Sequence, residues 1–255
     1  MCQYNPFSLE GKIILVTGAS SGIGRQCAID CSKMGATVIL VARNEKRLKE
    51  TQKEMQQSER HSYYSIDLGQ PDRIKELVET IVITHGKLDG FIHAAGIEKT
   101  LPVKLLSIDD YETLFRVNTL SAFEFIRCFS NKKFFNDNGR IVLLSSITSI
   151  IGRGGVAAYA ASKGAMVSAV RSMALELARK GICINCVSPG TILTPMMQDF
   201  LSTLSEEDYK KRIDGFPLGL GEVTDVSQLC LFLLSNASRW ITGQNIVIDG
   251  GYTSR

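Results

Sequence analysis

The sequence has few of the features that mark a nucleic-acid-binding, membrane-spanning or disulfide-rich protein. Its charge is nearly balanced, with 29 Lys and Arg against 26 Asp and Glu and a formal net charge of +3. The basic pair Lys132 and Lys133 is interpreted as part of a solvated loop. This balance provides no strong attraction to nucleic acid or to an anionic membrane. No apolar run reaches the roughly 18 residues of a membrane span, so we expect neither partner.

Cysteine occurs seven times, an odd number, and is scattered along the chain. Cys183 and Cys186 have a C-x-x-C spacing, but they fall in a run typical of a buried strand, where residues three apart face opposite sides. Cys27 and Cys31, on a predicted helix, are interpreted as packing residues. Residues 1–6 lack the basic region and apolar core of a signal peptide. We therefore expect a reduced, cytoplasmic protein without a bound metal.

Short β-rich runs alternate with longer helical stretches along all 255 residues. The β-rich runs are continuously apolar, as in parallel strands that are covered on both faces. Repeated β-α-β units with right-handed crossovers build a doubly wound sheet. The sequence thus predicts a single α/β domain, a doubly wound (Rossmann) parallel seven-stranded sheet with helices on both faces. The predicted strands are 12–17, 37–42, 62–66, 88–94, 140–145, 182–188 and 245–248, and the predicted helices are 23–34, 44–58, 71–86, 109–131, 157–180 and 224–236.

Two segments depart from this alternation. Residues 193–222 show no strand pattern and end in glycines and a proline, which favours a lid over a site; the alternative is a plain surface excursion. The helix predicted at 157–180 is small or apolar on most faces through its first half, so it should be buried on more than one side. One side can face the sheet and the other needs a partner. We therefore expect an oligomer.

A glycine-rich turn, TGASSGIG at 17–24, follows the first predicted strand and precedes a helix. Gly18 permits a tight turn, Gly22 lets backbone N–H groups approach a pyrophosphate, and Gly24 allows the helix to pack closely on the strand. The spacing differs from the G-x-G-x-x-G dinucleotide fingerprint, so a turn that binds nothing is the alternative. The residues predicted to contact a cofactor here are Gly18, Ser20, Ser21, Gly22, Ile23 and Gly24.

The end of the second predicted strand favours NADP(H) over NAD(H). It reads Ala42-Arg43-Asn44, without the carboxylate that accepts hydrogen bonds from an adenine ribose 2′-OH. The guanidinium of Arg43 suits a 2′-phosphate, although an exposed arginine near a helix start is the alternative. Arg25 is expected to add to the same positive field. Asp67, after the third strand, is a candidate acceptor for the adenine amino group or a turn cap.

Four polar residues form a predicted proton-transfer site. Tyr159 and Lys163 lie one turn apart on the same helix face, Ser146 ends a strand, and Asn118 lies in mid-helix, where an amide is not favoured. Free tyrosine has a pKa of about 10, and we expect the Lys163 ammonium or an oxidised nicotinamide to lower it. Ser146 would hold a carbonyl oxygen while Tyr159 protonates it. The alternative for the Tyr-x-x-x-Lys pair alone is an ordinary helix-surface pair.

Together these motifs resemble the short-chain dehydrogenase/reductase family in its single-domain form. The resemblance runs from TGASSGIG (17–24) through HAAG (93–96), YAASK (159–163) and SPGTILT (188–194) to ITGQNIVIDGG (241–251). It implies a catalytic tetrad of Asn118, Ser146, Tyr159 and Lys163, with Asn118 holding a water in a proton relay through Lys163. It also implies that Lys163 binds the nicotinamide ribose and that Ile192 and Thr194 hold the carboxamide. Further cofactor contacts implied by the family are Leu68, Ala94, Ala95, Gly96, Pro189 and Gly190.

The family resemblance carries one departure and one expectation about assembly. His93-Ala94-Ala95-Gly96 stands where the family usually has Asn-Asn-Ala-Gly, and we interpret His93 as a packed strand residue rather than an acid or base. The family implies a homotetramer built on the helices at 109–131 and 157–180 together with the C-terminal strand region. This agrees with the helix that is apolar on two sides.

The substrate is less clearly indicated than the reaction. The stretch 152–155 and the closing motifs resemble 3-oxoacyl-[acyl-carrier-protein] reductases most, and Lys180 fits a position that would dock the acidic carrier. Asp137 stands where another basic residue is expected and should repel a carrier. Dehydrogenases of sugars, polyols and other secondary alcohols share every motif and remain an alternative. A non-catalytic NADP-binding sensor is a further alternative, although it would be expected to lose Tyr159 or Lys163.

Six apolar residues are predicted to form a pocket wall and lid, or alternatively to pack in the core. They are Ile150, Ile151, Val156, Leu193, Met196 and Met197.

Overall fold

The computed structural model describes residues 5–254, apart from the side chain of residue 196. Seven parallel strands form one sheet in the order β3-β2-β1-β4-β5-β6-β7. The predicted doubly wound sheet is therefore confirmed. The strand order reverses between β1 and β4, where such sheets open a crevice at the carboxyl ends of their strands. The strands are β1 (Ile13–Thr17), β2 (Thr37–Ala42), β3 (Ser62–Ser65), β4 (Leu88–His93), β5 (Phe135–Leu144), β6 (Cys183–Pro189) and β7 (Asn245–Ile248).

The helices follow the predicted pattern with two differences. The helix predicted at 109–131 is two α-helices joined by a π-helical turn, Arg116–Leu120. The segment 193–222 contains two short helices, and no strand forms within it. The helices are α1 (Gly22–Lys33), α2 (Glu45–Glu54), α3 (Ile74–His85), α4 (Ile108–Phe115), α5 (Ser121–Phe129), α6 (Ala157–Leu177), α7 (Pro195–Leu201), α8 (Glu206–Ile213) and α9 (Val223–Leu234).

Helices cover both faces of the sheet, which explains why the strand runs are continuously apolar. On one face, α3, α5 and α6 pack on a core in which Phe91 lies 5.0 Å, between ring centroids, from both Phe125 and Phe129. On the other face, α1, α2 and α9 contribute buried residues such as Leu48 and Leu233. Burial on both sides fixes the sheet, so the carboxyl ends of its strands hold the loops beyond them in place.

The cysteines pack in the core. Cys27 and Cys31 are buried on α1, as predicted, and Cys183 and Cys186 are buried on β6. Cys2 lies outside the described residues. Within residues 5–254, no group of three or more His, Cys, Asp and Glu side chains is arranged to hold a metal ion. None of the helices in this range combines the length and apolarity needed to cross a membrane.

Helix α6 has one covered side and one exposed side in the single chain. Met166 and Val170 are buried against the sheet, whereas Ala161 and Ser168 are exposed and the Leu175 side chain is 78% exposed. The predicted second covered side therefore lies on the surface of the chain. The oligomer remains a prediction.

Candidate active site

A cleft of about 900 Å³ lies at the carboxyl edge of the sheet, over the point where the strand order reverses. The β1–α1 turn, the ends of β2, β4 and β5, the start of α6 and the segment after β6 form its walls. Every residue predicted above to contact a cofactor lines this cleft, and so does Ser146. The structure thus brings together residues that lie as far apart in sequence as Gly18 and Thr194.

The glycine turn has the tight geometry that a bound pyrophosphate requires. Gly18 has φ +68°, and a Cβ atom there would lie 2.7 Å from the backbone nitrogen of Ala95. A Cβ atom at Gly24 would lie 2.5 Å from the carbonyl oxygen of Gly18. The first turn of α1 carries no acidic residue, and Ser21 makes no side-chain cap. The N–H donors and positive dipole end of α1 are therefore open to an anion, so this turn fits a dinucleotide phosphate.

The tip of β2 presents basic side chains and no carboxylate. Arg43, Asn44 and Arg47 all line the cleft. Asn44 caps α2 by accepting a hydrogen bond from the Arg47 backbone N–H at 3.0 Å, which sets the first turn of the helix beside the cleft. Arg47 was not predicted as a site residue, although asparagine commonly caps helices and Arg47 lies three residues after Asn44. The tip suits a phosphate better than a ribose hydroxyl.

The prediction for Arg25 is wrong, and one of the two interpretations of Asp67 is confirmed. Arg25 forms an ion pair with Glu54 at the end of α2 and does not line the cleft. Its side chain reaches a carboxylate that lies far from it in sequence but close to it in the fold. Asp67 caps its turn by accepting a hydrogen bond from the Gly69 N–H at 3.0 Å, and it also lines the cleft.

Ser146, Tyr159 and Lys163 converge at one end of the cleft. Tyr159 lies in the first turn of α6, and the Lys163 Nζ atom one turn later is 5.8 Å from the centre of its ring. Thr148 donates to the Ser146 hydroxyl oxygen from its backbone N–H at 3.2 Å and from its hydroxyl at 3.0 Å. The Ser146 hydroxyl hydrogen remains available to Tyr159, whose phenolate this hydrogen bond favours. The Tyr-x-x-x-Lys pair is thus part of the cleft rather than of the exposed helix surface.

Burial controls the charges of this group. It raises the pKa of Tyr159 to about 12, and the Glu98 carboxylate adds to this rise, whereas Ser146 and Arg153 act to lower it. The expected lowering of the Tyr159 pKa by Lys163 is wrong for this structure. The Lys163 ammonium instead donates to the Leu144 carbonyl oxygen at 2.7 Å. Burial lowers the pKa of Lys163 to about 8.

Asn118 lies behind the cleft wall in the π-helical turn. Its Oδ1 accepts from the Ile97 N–H at 2.8 Å, and its Nδ2 donates to the Ile97 carbonyl oxygen and the Ser162 hydroxyl, both at 3.0 Å. A Cβ atom at Gly96 would lie 3.2 Å from Lys163 Nζ and 3.4 Å from Asn118 Oδ1. The buried Asn118 amide therefore ties the segment after β4 to α6 and lies close to Lys163.

The far end of the cleft is more polar than predicted. Ile151 and Met197 line it, but Val156 is buried at the start of α6, where its side chain packs into the core. Ile150 turns to solvent with 49% of its side chain exposed, and Leu193 does not line the cleft. The predicted apolar wall is therefore wrong for these three residues, and the side chain of Met196 lies outside the described part. Charged and aromatic residues that sequence analysis did not select line this end: Glu98, Asp199, Lys211, Arg212, Phe216 and Tyr252.

The two residues weighed for carrier docking lie on the surface away from the cleft. Lys180 donates to the carbonyl oxygen of Ser130. Asp137 is exposed, with its carboxylate 3.9 Å from the ammonium of Lys132. The ammonium of Lys180, the predicted docking cation, is thus already bound to a carbonyl oxygen of this chain. The Asp137 carboxylate lies close to the Lys132 ammonium.

Comparisons with known proteins agree with this architecture. The family described as enoyl-(acyl carrier protein) reductase matches residues 18–253. A 3-oxoacyl-[acyl-carrier-protein] reductase of Thermotoga maritima is 35% identical over 245 residues, which cover 95% of this chain and 98% of that protein. The structure of a short-chain dehydrogenase/reductase from Serratia marcescens has a TM-score of 0.89 at 26% identity and covers 98% of this chain and 100% of that one.

A further solved structure, from Agrobacterium tumefaciens, is named provisionally as a 2-deoxy-D-gluconate 3-dehydrogenase and contains bound NADP. It has a TM-score of 0.89 at 28% identity and covers 99% of this chain and 100% of that one. Family match, sequence identity and fold all agree with the motifs of the sequence. The chain therefore belongs to the short-chain dehydrogenase/reductase family of nicotinamide-dependent oxidoreductases, which act on CH–OH type substrates.

Proposed function

We propose that this protein interconverts a carbonyl compound and a secondary alcohol using NADP(H), with Tyr159 as the general acid and base. The observation that carries the proposal is the convergence of Ser146, Tyr159 and Lys163 at one end of the cleft whose other wall is the glycine turn. A hydride donor bound along that turn would extend towards the three side chains. When bound, NADP(H) supplies or accepts the hydride.

The cleft residues divide among the parts of such a cofactor. The turn at 17–24 and the start of α1 would hold the pyrophosphate, and Arg43 with Arg47 would hold the 2′-phosphate. Asp67 and Leu68 would flank the adenine, and Lys163 would bind the nicotinamide ribose. The carboxamide would meet the segment after β6. The absence of an acid among the residues at the tip of β2 and the NADP bound in the Agrobacterium tumefaciens structure support NADP over NAD.

The proton-transfer roles follow from the hydrogen bonds and the pKa values. Ser146 holds the carbonyl oxygen of the substrate beside the Tyr159 hydroxyl. Because the pKa of Tyr159 is about 12, the hydroxyl keeps its proton at neutral pH and can donate it to that oxygen. Lys163, with a pKa of about 8, changes protonation near working pH. We assign Asn118 to hold a water through which Lys163 exchanges protons with solvent.

The substrate class has two candidates. A 3-oxoacyl thioester is supported by the relative from Thermotoga maritima, although the surroundings of Lys180 and Asp137 disfavour docking of an acidic carrier protein. A sugar derivative, polyol or other secondary alcohol is supported by the charged far end of the cleft, where Arg153 and Arg212 face the site. In both cases the segment 193–222 would act as a lid.

We also propose that the protein forms a homotetramer. The exposed side of α6, with Ala161 and the largely exposed Leu175, would supply one of the interfaces. Small residues on this side would let two helices pack closely. Sedimentation of the purified chain tests this directly, because a monomer at micromolar concentration contradicts it.

Turnover by the wild type and by Tyr159→Phe tests the reaction. NADPH oxidation would be followed with an acetoacetyl thioester and with a panel of ketones. We expect Tyr159→Phe to lower kcat by about 10²–10⁴-fold, with NADPH affinity nearly unchanged, and Tyr111→Phe, outside the cleft, to behave as wild type. Turnover that survives Tyr159→Phe would contradict the mechanism. A wild type that binds NADPH but reduces no carbonyl would identify a cofactor-binding sensor instead.

A further inference from the structure

Two arginines at the far end of the cleft have no part in cofactor binding or proton transfer. Arg153 lies in the loop before α6, and Arg212 lies on α8. Both line the cleft that contains Tyr159. The Arg153 guanidinium acts to lower the pKa of Tyr159, so its charge reaches the hydroxyl that would protonate a substrate. Arg153 also acts on Arg212, whose pKa burial and this second cation lower. The two guanidinium groups and Tyr159 thus share one local field.

Arg153 keeps hydrogen-bond donors available for a ligand. The nearest carboxylate oxygen, from Glu98, lies 3.8 Å from Arg153 Nη2, whereas a charge-assisted hydrogen bond measures about 2.7–2.9 Å. Glu98 also accepts a long hydrogen bond from the Thr100 hydroxyl at 3.4 Å. A guanidinium has five N–H donors, and this loose ion pair leaves most of them free to face the cleft.

Arg212 has fewer polar partners than Arg153 among the described residues. Its Nε atom is buried without a hydrogen-bond partner among the described residues, and no carboxylate in that part of the chain lies within 4 Å of it. Its guanidinium lies over the Phe200 ring, 5.3 Å from the ring centre, which fixes the plane of the charged group. A buried donor without an acceptor costs free energy until a ligand supplies one.

The charge balance favours a ligand of low charge. The far end of the cleft is lined by three cations, Arg153, Lys211 and Arg212, and two carboxylates, Glu98 and Asp199. Lys211 pairs with Glu207 at 2.7 Å, so the two arginines are the cations left to meet a ligand, and Glu98 and Asp199 match them in number. A site without a large positive excess suits a singly charged carboxylate better than a phosphate monoester, which carries about −1.5 to −2.

We propose that Arg153 and Arg212 bind a carboxylate of the substrate, which makes the preferred substrate an oxo acid or hydroxy acid, sugar acids included. A planar carboxylate suits the fork of N–H donors on a guanidinium. Bound there, it would hold the reacting carbonyl group beside Ser146 and Tyr159. This inference rests on the proposed function, because it assigns the substrate class of the same site.

Matched pairs of acid and ester test the inference. Oxo acids of four to six carbons and their methyl esters would be titrated calorimetrically into the NADP⁺-loaded protein, and their kcat/KM values would be measured with NADPH. We expect the best acid to bind about 10–100-fold more tightly than its ester, the range expected for hydrogen bonds to charged groups. Arg212→Met and Arg153→Met should each reduce this ratio of acid to ester by tenfold or more. Lys210→Met, an exposed cation of α8 outside the cleft, should leave it unchanged.

The outcomes separate this inference from the proposed function. Equal affinity for acid and ester in the wild type overturns the inference, as does an acid preference that both arginine variants retain. Inorganic phosphate that displaces the acid more effectively than acetate does overturns the choice of carboxylate. Acid binding that depends on the arginines, without turnover, supports the inference and rejects the oxidoreductase. Turnover of esters as efficient as that of acids, and dependent on Tyr159, supports the oxidoreductase and rejects the inference.

Discussion

Thr17 at the end of β1 and His93 at the end of β4 are paired across neighbouring parallel strands, with Thr17 Oγ1 3.0 Å from His93 Nδ1. Both side chains are fully buried. The Ala95 N–H donates to the same Thr17 oxygen at 3.3 Å, and His93 Nε2 has no hydrogen-bond partner among the described residues. Burial lowers the pKa of His93 to about 3. His93 is therefore the packed, uncharged strand residue that the sequence predicted, and it joins the glycine turn to the loop after β4.

This burial predicts sensitivity to acid. The pKa of His93 is about 3 in the folded state and about 6.5 in the unfolded state. Between these values the unfolded chain binds more protons, so the free energy of unfolding decreases as the pH falls from 6.5 towards 3. Between about pH 7 and pH 5, His93 alone should account for a loss of about 2 kcal/mol. Urea unfolding of the wild type and His93→Asn at both pH values measures it.

A matched variant isolates the contribution of His93. Burial also lowers the pKa of His61 and His85, so the wild type alone does not separate the three. His93→Asn should lose less stability in acid than the wild type, whereas His85→Asn, at a less buried site, should change the pH dependence only slightly. An unchanged pH dependence in His93→Asn would show that His93 is not held neutral by burial.

Gly11 and Gly18 have similar backbone conformations but different surroundings. Substituting each by alanine therefore separates the cost of backbone strain from the cost of a steric clash. Gly11 has φ +72° with open space where a Cβ atom would lie, whereas a Cβ atom at Gly18, at φ +68°, would lie 2.7 Å from Ala95 N. Gly11→Ala should cost about 1–2 kcal/mol from the left-handed conformation alone. Gly18→Ala should cost more and should weaken NADPH binding, because the Ala95 backbone must move. Equal losses of stability with unchanged NADPH affinity would mean that the turn does not approach the cofactor.

Much of the fold and of the cleft could be predicted because their signals are local. Continuous apolar runs fix buried parallel strands, and glycines at 18, 22 and 24 mark a turn where side chains would collide. The residues that were missed or misassigned depend on tertiary contacts. Arg25 meets Glu54 only because α1 and α2 are neighbours, and nothing near Arg212 in sequence indicates that its Nε is buried beside the cleft.

The pKa of Tyr159 also depends on tertiary contacts that the sequence does not reveal. The spacing of Tyr159 and Lys163 is visible in the sequence, and it predicted that the ammonium lowers the pKa of the phenol. In the structure, burial and Glu98 determine the direction of the shift. Glu98 lies on the loop after β4, far from α6 in sequence. Spacing on one helix indicates which groups are adjacent, but their charge balance depends on every element around them.

Cofactor preference should depend on the tip of β2. Arg43→Asp should weaken NADPH binding by about 10–100-fold, the range for a lost hydrogen bond to a charged group, and should change NADH binding much less. Arg47→Ala, on the same side of the cleft, should also weaken NADPH binding more than NADH binding. Lys46→Asp, an exposed neighbour that does not line the cleft, makes the same charge change and should not alter the ratio of the two affinities. Fluorescence titration with NADPH and NADH measures both, and equal losses for the two cofactors would show that Arg43 does not contact the 2′-phosphate.

The buried Lys163 ammonium should make stability rise with pH in mildly alkaline solution. Its pKa is about 8 in the folded state, below its ordinary value of 10.5, so the unfolded chain binds more protons between these values. The free energy of unfolding should therefore increase with pH, by about 2 kcal/mol between about pH 7.5 and pH 9.5. Tyr159, with its raised pKa of about 12, opposes this only above pH 10.

Lys163→Met removes the group and should remove this rise in stability, whereas Lys46→Met, at an exposed position, should keep it. Urea unfolding at several pH values across the range measures the slope for each variant. The difference in slope between the variants reports Lys163 together with its effect on Cys186, because the Lys163 ammonium acts to lower the pKa of the Cys186 thiol. A slope for Lys163→Met equal to that of the wild type would mean that the Lys163 ammonium is solvated rather than buried, and the assigned proton relay would then lose the lysine whose pKa lies near working pH.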